Sequence, residues 1–271
     1  MADNSPSCSI DWNLPTFCIV TGASRGLGQT IAIEFCKRFC NGSCTLLIAR
    51  DNQKLLITQD EIQKTSAVKT QVIALDLAIL DSPSYEHLLT KYLQQTGCTA
   101  CNFQQAVLVH NAGTLGDVSK TVTSCISSKE IKDYFNLNLH SVMFLTSAFL
   151  EVFGVTKRKL IINISSLAAI QPFKGWNLYC TGKAAREMYF RVLAEEDKSV
   201  VILNYAPGPL LTDMLPQILE QALPEIKQQF QAAQSQNQLL TCEYTVQKLI
   251  GVLERSRFKS GDHVDVFDAN Y

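Results

Sequence analysis

The chain has no surplus of charge of either sign. Among its 271 residues, 24 lysines and arginines stand against 25 aspartates and glutamates, a net charge of −1. Broad electrostatic capture of nucleic acid or of an anionic membrane needs a clear basic excess, so neither is expected as a partner. There is no run of about 18 consecutive apolar residues, so nothing is expected to span a bilayer. Residues 1–15 include Asp3 and Asp11 and no basic segment, and read as a polar leader rather than a secretory signal. Metal-binding patterns are scarce as well. His87, His110, His140 and His263 stand apart, and Cys98 with Cys101 forms the single CxxC, whereas a structural zinc site takes two close ligand pairs. No metal is expected. Cys36 and Cys40 share a helix face with Ile33, which suits small buried hydrophobes, and free thiols without a signal point to the reducing cytoplasm.

What is present is a folded pattern. At 46% hydrophobic, the chain can bury enough apolar surface to offset the entropy of ordering. Short apolar runs at 16–20, 45–49, 70–75, 105–109, 159–164, 199–204 and 263–267 read as strands. Helical patterns fall between them at 28–40, 54–66, 85–95, 129–153, 179–196 and 244–255. Most of the strands are continuous apolar runs rather than in/out alternations, the mark of a parallel sheet covered by helices on both faces. The fold expected is a single α/β domain over 16–271, a doubly wound Rossmann-type sheet. The Gln-rich stretch 225–241 reads as a helical excursion above it.

The first chemical motif is the turn Thr21-Gly22-Ala23-Ser24-Arg25-Gly26-Leu27-Gly28, between the first strand and the first helix. Glycines there permit a tight turn and let backbone N–H groups reach a pyrophosphate at a helix N-terminus. The spacing is G-x-x-x-G-x-G, not the commoner dinucleotide fingerprint. At the end of the second strand, where a carboxylate would accept from a ribose 2′-OH, stand Ala49 and Arg50. Arg50 with Arg25 suits a 2′-phosphate, and NADPH is the cofactor expected. Asp51, adjacent, works slightly against this; Arg50 as a plain solvated strand end is the alternative. Asp76, followed by Leu77, either bonds the adenine edge or caps the next helical turn.

The second motif is Tyr179 and Lys183, four apart and hence on one helix face, with Ser166 at the end of the 159–164 strand. A phenol is a weak acid at its usual pKa of about 10. A neighbouring ammonium should lower that value and make Tyr179 a usable proton donor, with Ser166 holding a carbonyl oxygen and Lys183 also reaching the nicotinamide ribose. Asn111-Ala112-Gly113 follows the fourth strand, and Pro207-Gly208 the sixth.

These motifs together resemble the short-chain dehydrogenases/reductases. The resemblance implies that Asn111 borders the cofactor and that Asn138 organises a proton-relay water, the alternative being an asparagine satisfied by backbone. His110 stands where asparagine is more usual. Further stretches, 115–120, 171–176, 204–209, 212–214, 258–261 and 263–265, resemble those members of the family that reduce pterin side-chain carbonyls at the close of tetrahydrobiopterin synthesis. That likeness implies Asp265 as the ring anchor, Gly208 and Leu167 lining the substrate, Leu210, Leu211, Thr212, Asp213 and Met214 covering the cofactor, and a cytoplasmic homodimer. A carboxylate suits the guanidine-like edge of a pterin, from which it can accept twice. Trp176 either flanks a flat ring or packs in the core. Two other readings stay open: a broader NADPH-dependent reductase of small dicarbonyls, and a non-catalytic NADPH-binding regulator.

Overall fold

Strands that bury every residue pair side by side in the computed structural model, which describes residues 9–79, 82–124 and 127–270. β1 (Thr16–Thr21), β2 (Cys44–Ala49), β4 (Gln105–His110) and β6 (Val200–Ala206) are buried along their whole length, and β5 (Arg158–Ile164) along all but its first residue. β3 (Lys69–Ala74) and the short β7 (His263–Asp265) form the edges. All pairs are parallel, in the order β3-β2-β1-β4-β5-β6-β7. The winding reverses between β1 and β4, and the crevice beyond their C-terminal ends is where an open α/β sheet binds ligands.

Helices cover both faces. On one, α1 (Gly26–Cys36), α2 (Asn52–Thr65) and α9 (Cys242–Arg255) bury Ile31, Phe35, Leu55 and Leu249 against the sheet. On the other lie α3 (Ser82–Gln95), α5 (Ser141–Val152) and α6 (Asn177–Glu196), with Tyr85, Leu89, Phe149 and Phe190. A smaller cluster at the C-terminal end of the sheet joins α6 to α7 (Met214–Gln221) and α8 (Pro224–Ser235), the expected Gln-rich excursion.

Three details differ from expectation. The single helix expected over 129–153 is α4 (Ser128–Phe135), a π-helical turn (Asn136–His140) and α5. The wider turn, a feature common at functional sites, carries Asn138. The helix expected over 28–40 ends at Cys36, because the chain turns to meet the leader: the Cys40 N–H donates to the Trp12 carbonyl at 3.0 Å. The leader is accordingly part of the domain from there on. Ile10 is buried, and Trp12 packs edge-on against Phe35 and at a tilt against Phe39, with ring centroids 5.3 Å apart in each case. Residues 1–8, with Asp3 and Cys8, and Cys125 lie outside the described residues. The described cysteines are all free thiols, no described group of His, Cys, Asp and Glu could hold a metal, and no described helix is long and apolar enough to cross a membrane.

Candidate active site

The glycine turn forms as its spacing requires. Gly22 and Gly26 take φ of +68° and +54°, which a side chain would strain. A Cβ at Gly28 would stand 2.3 Å from the Gly22 carbonyl oxygen and 2.4 Å from Asn111 Nδ2. Asn111 ties β4 to this turn, its Nδ2 donating to the carbonyls of Thr21 and Gly22 at 3.0 and 3.2 Å. Arg25 precedes α1 in extended conformation, and no described side chain caps the first turn of that helix. Free N–H groups, no Cβ in the way and a helix dipole fit a pyrophosphate, so the residues present fit a dinucleotide.

Around the expected adenosine end, Arg50 is exposed at the tip of β2. The carboxylate of Asp51 accepts from the Lys54 N–H at 3.1 Å and caps α2, which occupies one of its oxygens there. Asp76 accepts from Ala78 N–H at 3.0 Å, so the capping alternative holds for one of its oxygens, and Leu77 accepts from the Tyr85 hydroxyl at 2.8 Å. Arg25 pairs with Asp213 at 2.8 Å, both exposed. That ion pair, and a Thr212 methyl 3.7 Å from where a Gly26 Cβ would stand, lay the 210–214 segment over the glycine turn. Leu210 bridges to Leu240, Leu211 is half-exposed, and Met214 begins α7.

Tyr179 and Lys183 project from α6, beside Ser166 at the C-terminal end of β5. Tyr179 is buried, and the Ser166 oxygen accepts from Ala168 N–H at 3.1 Å. Lys183 Nζ lies 5.6 Å from the centre of the Tyr179 ring and donates to the Ile164 carbonyl at 2.7 Å. The electrostatics correct the sequence expectation. Burial pushes the Tyr179 phenol up from its ordinary pKa, against the opposing pull of the Ser166 hydroxyl and the Arg186 charge. Lys183 is driven well below its ordinary value by burial and then by Arg186, despite Glu187. Of the neighbouring cations, Arg186 is the one whose charge pulls the phenol down in the protein alone.

Asn138, on the π turn, donates to the Tyr134 carbonyl at 3.0 Å and accepts from Thr114 N–H at 2.9 Å, so both ends of its amide meet backbone. At the other edge of the site, Gly208 takes φ of +77°, and a Cβ there would collide with Val266 and Leu240 at 2.8 and 2.9 Å. Leu167, partly exposed, opens the short turn after Ser166. Asp265 ends β7 two residues after His263, on the same side of the strand by the strand period. His263 bonds to Glu187 of α6 at 2.8 Å. Asp265 Oδ1 accepts from Phe267 N–H at 3.0 Å, and the residue also borders an edge cavity of about 340 Å³ with Lys248 and Arg257.

Comparison with known proteins bears on this geometry. The family profile described as short chain dehydrogenase matches residues 16–223. The chain belongs to the short-chain dehydrogenase family. It is 39% identical to the sepiapterin reductase of Xenopus tropicalis and 41% identical to that of Rattus norvegicus, in each case over 93% of this chain and 96% of the relative. A benzil reductase of Bacillus cereus is 28% identical over 92% of this chain and 98% of its own. Among solved structures, a short chain dehydrogenase from Shigella flexneri complexed with NADP superposes with a TM-score of 0.77 at 24% identity, covering 95% of this chain and 99% of that one. That likeness is one of fold.

As a short-chain dehydrogenase the chain is an oxidoreductase using a nicotinamide cofactor, and two features of its site escaped sequence reading. Arg186 is fully buried. It donates from Nε and Nη2 to Asn163 Oδ1 at 3.1 and 2.7 Å, from Nη2 to the His110 carbonyl at 3.0 Å, and from Nη1 to the Ala112 carbonyl at 3.2 Å. It thus clamps the 110–113 turn to β5. The signal was its place three residues after Lys183, on the same face of one helix. The second is an aromatic wall. Trp176 stacks between Phe173 and Phe230, at 5.2 and 5.9 Å, and meets the Tyr179 ring edge-on at 5.5 Å. Trp176 is a core residue, in one cluster with Tyr179 and with Ile226 and Phe230 of α8.

Proposed function

We propose that this enzyme uses NADPH to reduce the side-chain carbonyl of a pterin such as sepiapterin, in the closing steps of tetrahydrobiopterin synthesis. The observation that carries the reading is the full-length likeness to proteins named sepiapterin reductase, at 39–41% identity. The Ser166 hydroxyl donates to the substrate carbonyl oxygen, and the neutral Tyr179 phenol gives its proton to that oxygen as the carbonyl carbon is reduced. When bound, the nicotinamide cofactor supplies the hydride. Burial that keeps the phenol protonated suits the reductive direction, because the acid is in its donor form across neutral pH. Asp265 accepts from the amino and ring N–H groups of the pterin, and Lys183 holds the cofactor ribose. Arg50 grips the 2′-phosphate, which favours NADPH over NADH; bound structures of fold relatives with NADP and with NADPH are consistent with that choice.

The working form is a homodimer. Met143 and Phe144 on α5 and Met188 and Val192 on α6 leave apolar side chains exposed on neighbouring helices, as a helix-paired interface would use them. The free thiols suit the cytoplasm. Purified protein should oxidise NADPH in the presence of sepiapterin, and Tyr179→Phe should cost about 10²–10⁴ in kcat. An unchanged rate in that variant would remove Tyr179 as the acid.

One observation favours a second reading, reduction of small dicarbonyls: the full-length likeness to benzil reductases. Asp265→Ala separates the two, since pterin turnover should collapse while diketone turnover survives if Asp265 is a dedicated anchor. Equal losses on both substrates would favour the broader enzyme.

A further inference from the structure

Beneath the site lies a buried polar triangle that none of the steps above uses. Glu187 Oε2 accepts from the Ser165 hydroxyl at 2.7 Å and, at 2.8 Å, meets Nδ1 of His263. A carboxylate has only acceptors to offer, so Nδ1 carries the proton of that bond. Glu187 and Ser165 are buried, and His263 Nε2 is sealed from solvent with no partner among the described residues. The three side chains come from three different elements, β5–turn, α6 and β7.

Their neighbours in sequence are the functional groups. Ser165 immediately precedes Ser166. Glu187 follows Lys183 by one helical turn on the same face. His263 stands two residues before Asp265 on the same side of β7. β7 is a short edge strand paired to β6 at Asn204 with His263, Tyr205 with Val264 and Ala206 with Asp265, and the pairing is continued at its ends by Gly261 N–H to the Ile202 carbonyl and Val266 N–H to the Ala206 carbonyl. Backbone pairing holds the strand on one side only, and the Glu187–His263 bond adds a side-chain tether from its first residue to the catalytic helix.

We propose that Glu187, with Ser165 and His263, is a positioning device that sets Asp265 at a fixed reach from Ser166 and Tyr179, and so determines how tightly a pterin ketone is bound. The proposal rests on the reading of Asp265 as ring anchor. A site in which one end of a rigid ring is anchored while the other end reacts tolerates little slack, and binding groups depend on the shell that holds them. A small diketone, which does not reach Asp265, escapes this constraint.

The test is steady-state NADPH oxidation with sepiapterin and with butane-2,3-dione, on the full-length Glu187→Gln, His263→Gln and Ser165→Ala proteins and the Glu187→Gln/His263→Gln double variant, with thermal melts of each. The KM for sepiapterin should rise about tenfold in Glu187→Gln and His263→Gln, while kcat and the diketone KM move less than about twofold. The double variant should be no worse than the worse single, because the two act through one bond. Ser165→Ala, a loss of one hydroxyl, carries the test if either of the others fails to fold, and should raise the same KM in the same substrate-selective way. An unchanged sepiapterin KM in every soluble variant, equal losses on both substrates, or additive effects in the double variant would overturn the proposal. Asp265→Ala run in parallel separates the two failures. A raised sepiapterin KM there with none in the other variants removes the tether alone, whereas an unchanged KM in Asp265→Ala removes the anchor and with it the route assigned to the tether.

Discussion

Replacing Arg186 with methionine is the sharpest perturbation of the scaffold that holds the site. The guanidinium makes four hydrogen bonds to three acceptors, Asn163 Oδ1 and the carbonyls of His110 and Ala112, in a fully buried position. Burial costs this cation enough to pull it down to a pKa of about 10, with the hydroxyls of Tyr134 and Tyr179 working in the opposite sense. Methionine fills much of the volume but leaves the acceptors bare, at about 1–3 kcal/mol for each one that finds no other partner. Methionine also relieves the burial of a charge, so the net loss is expected at about 3–5 kcal/mol rather than the full sum. In a chain of this size that is a fall in Tm of about 6–20 °C. Arg186→Lys keeps the charge without the planar fork and should lie between the two. Thermal and urea denaturation followed by circular dichroism measure both. If Arg186→Met melts within about 2 °C of the parent, the acceptors have other partners and the clamp assigned to Arg186 is wrong.

Gly28→Ala places a methyl 2.3 Å from a backbone carbonyl that cannot move without opening the turn, so NADPH binding, read by quenching of intrinsic fluorescence, should weaken by at least about tenfold; undiminished affinity would refute the close packing. Arg50→Ala should raise the KM for NADPH about tenfold and leave that for NADH unchanged, and parallel changes in both would show that Arg50 does not read the 2′-phosphate. Burial works against the His263 cation, but the hydrogen bond and charge of Glu187, with Asp265 and Asp268 beyond, outweigh it and raise its pKa above 6.5. A raised histidine stabilises the fold fully below its unfolded value and loses that contribution as pH rises through the folded one. Urea midpoints should therefore fall from pH 6 toward alkaline pH by more in the parent than in His263→Gln, and identical slopes would refute the pairing.

The sheet was legible because its inner strands carry no polar alternation: runs such as Phe17-Cys18-Ile19-Val20 have only one environment open to them, a layer covered on both sides. The glycine turn and Ser166, Tyr179 and Lys183 were legible through residue type and spacing. The break at Asn136–His140 was not, since the apolar period runs through it and the side chain it carries, Asn138, finds its partner in Thr114, 24 residues away. Nor was the direction of the Tyr179 shift. Spacing put an ammonium beside the phenol, but the outcome depends on how deeply both are buried and on Arg186, which is set by packing across four elements. Arg186 itself reads in sequence as one more surface helix charge. The Glu187–His263 bond joins residues far apart in the chain, so no local pattern announces it.

The aromatic wall separates two design problems that are usually entangled. Phe230 belongs to a helix outside the sheet, yet it stacks on Trp176, whose ring meets Tyr179 edge-on. A polar side chain at that one position should loosen the Trp176 stack behind Tyr179. The packing behind the proton donor is thus adjustable from a peripheral segment, with strands, glycine turn and catalytic trio left as they are.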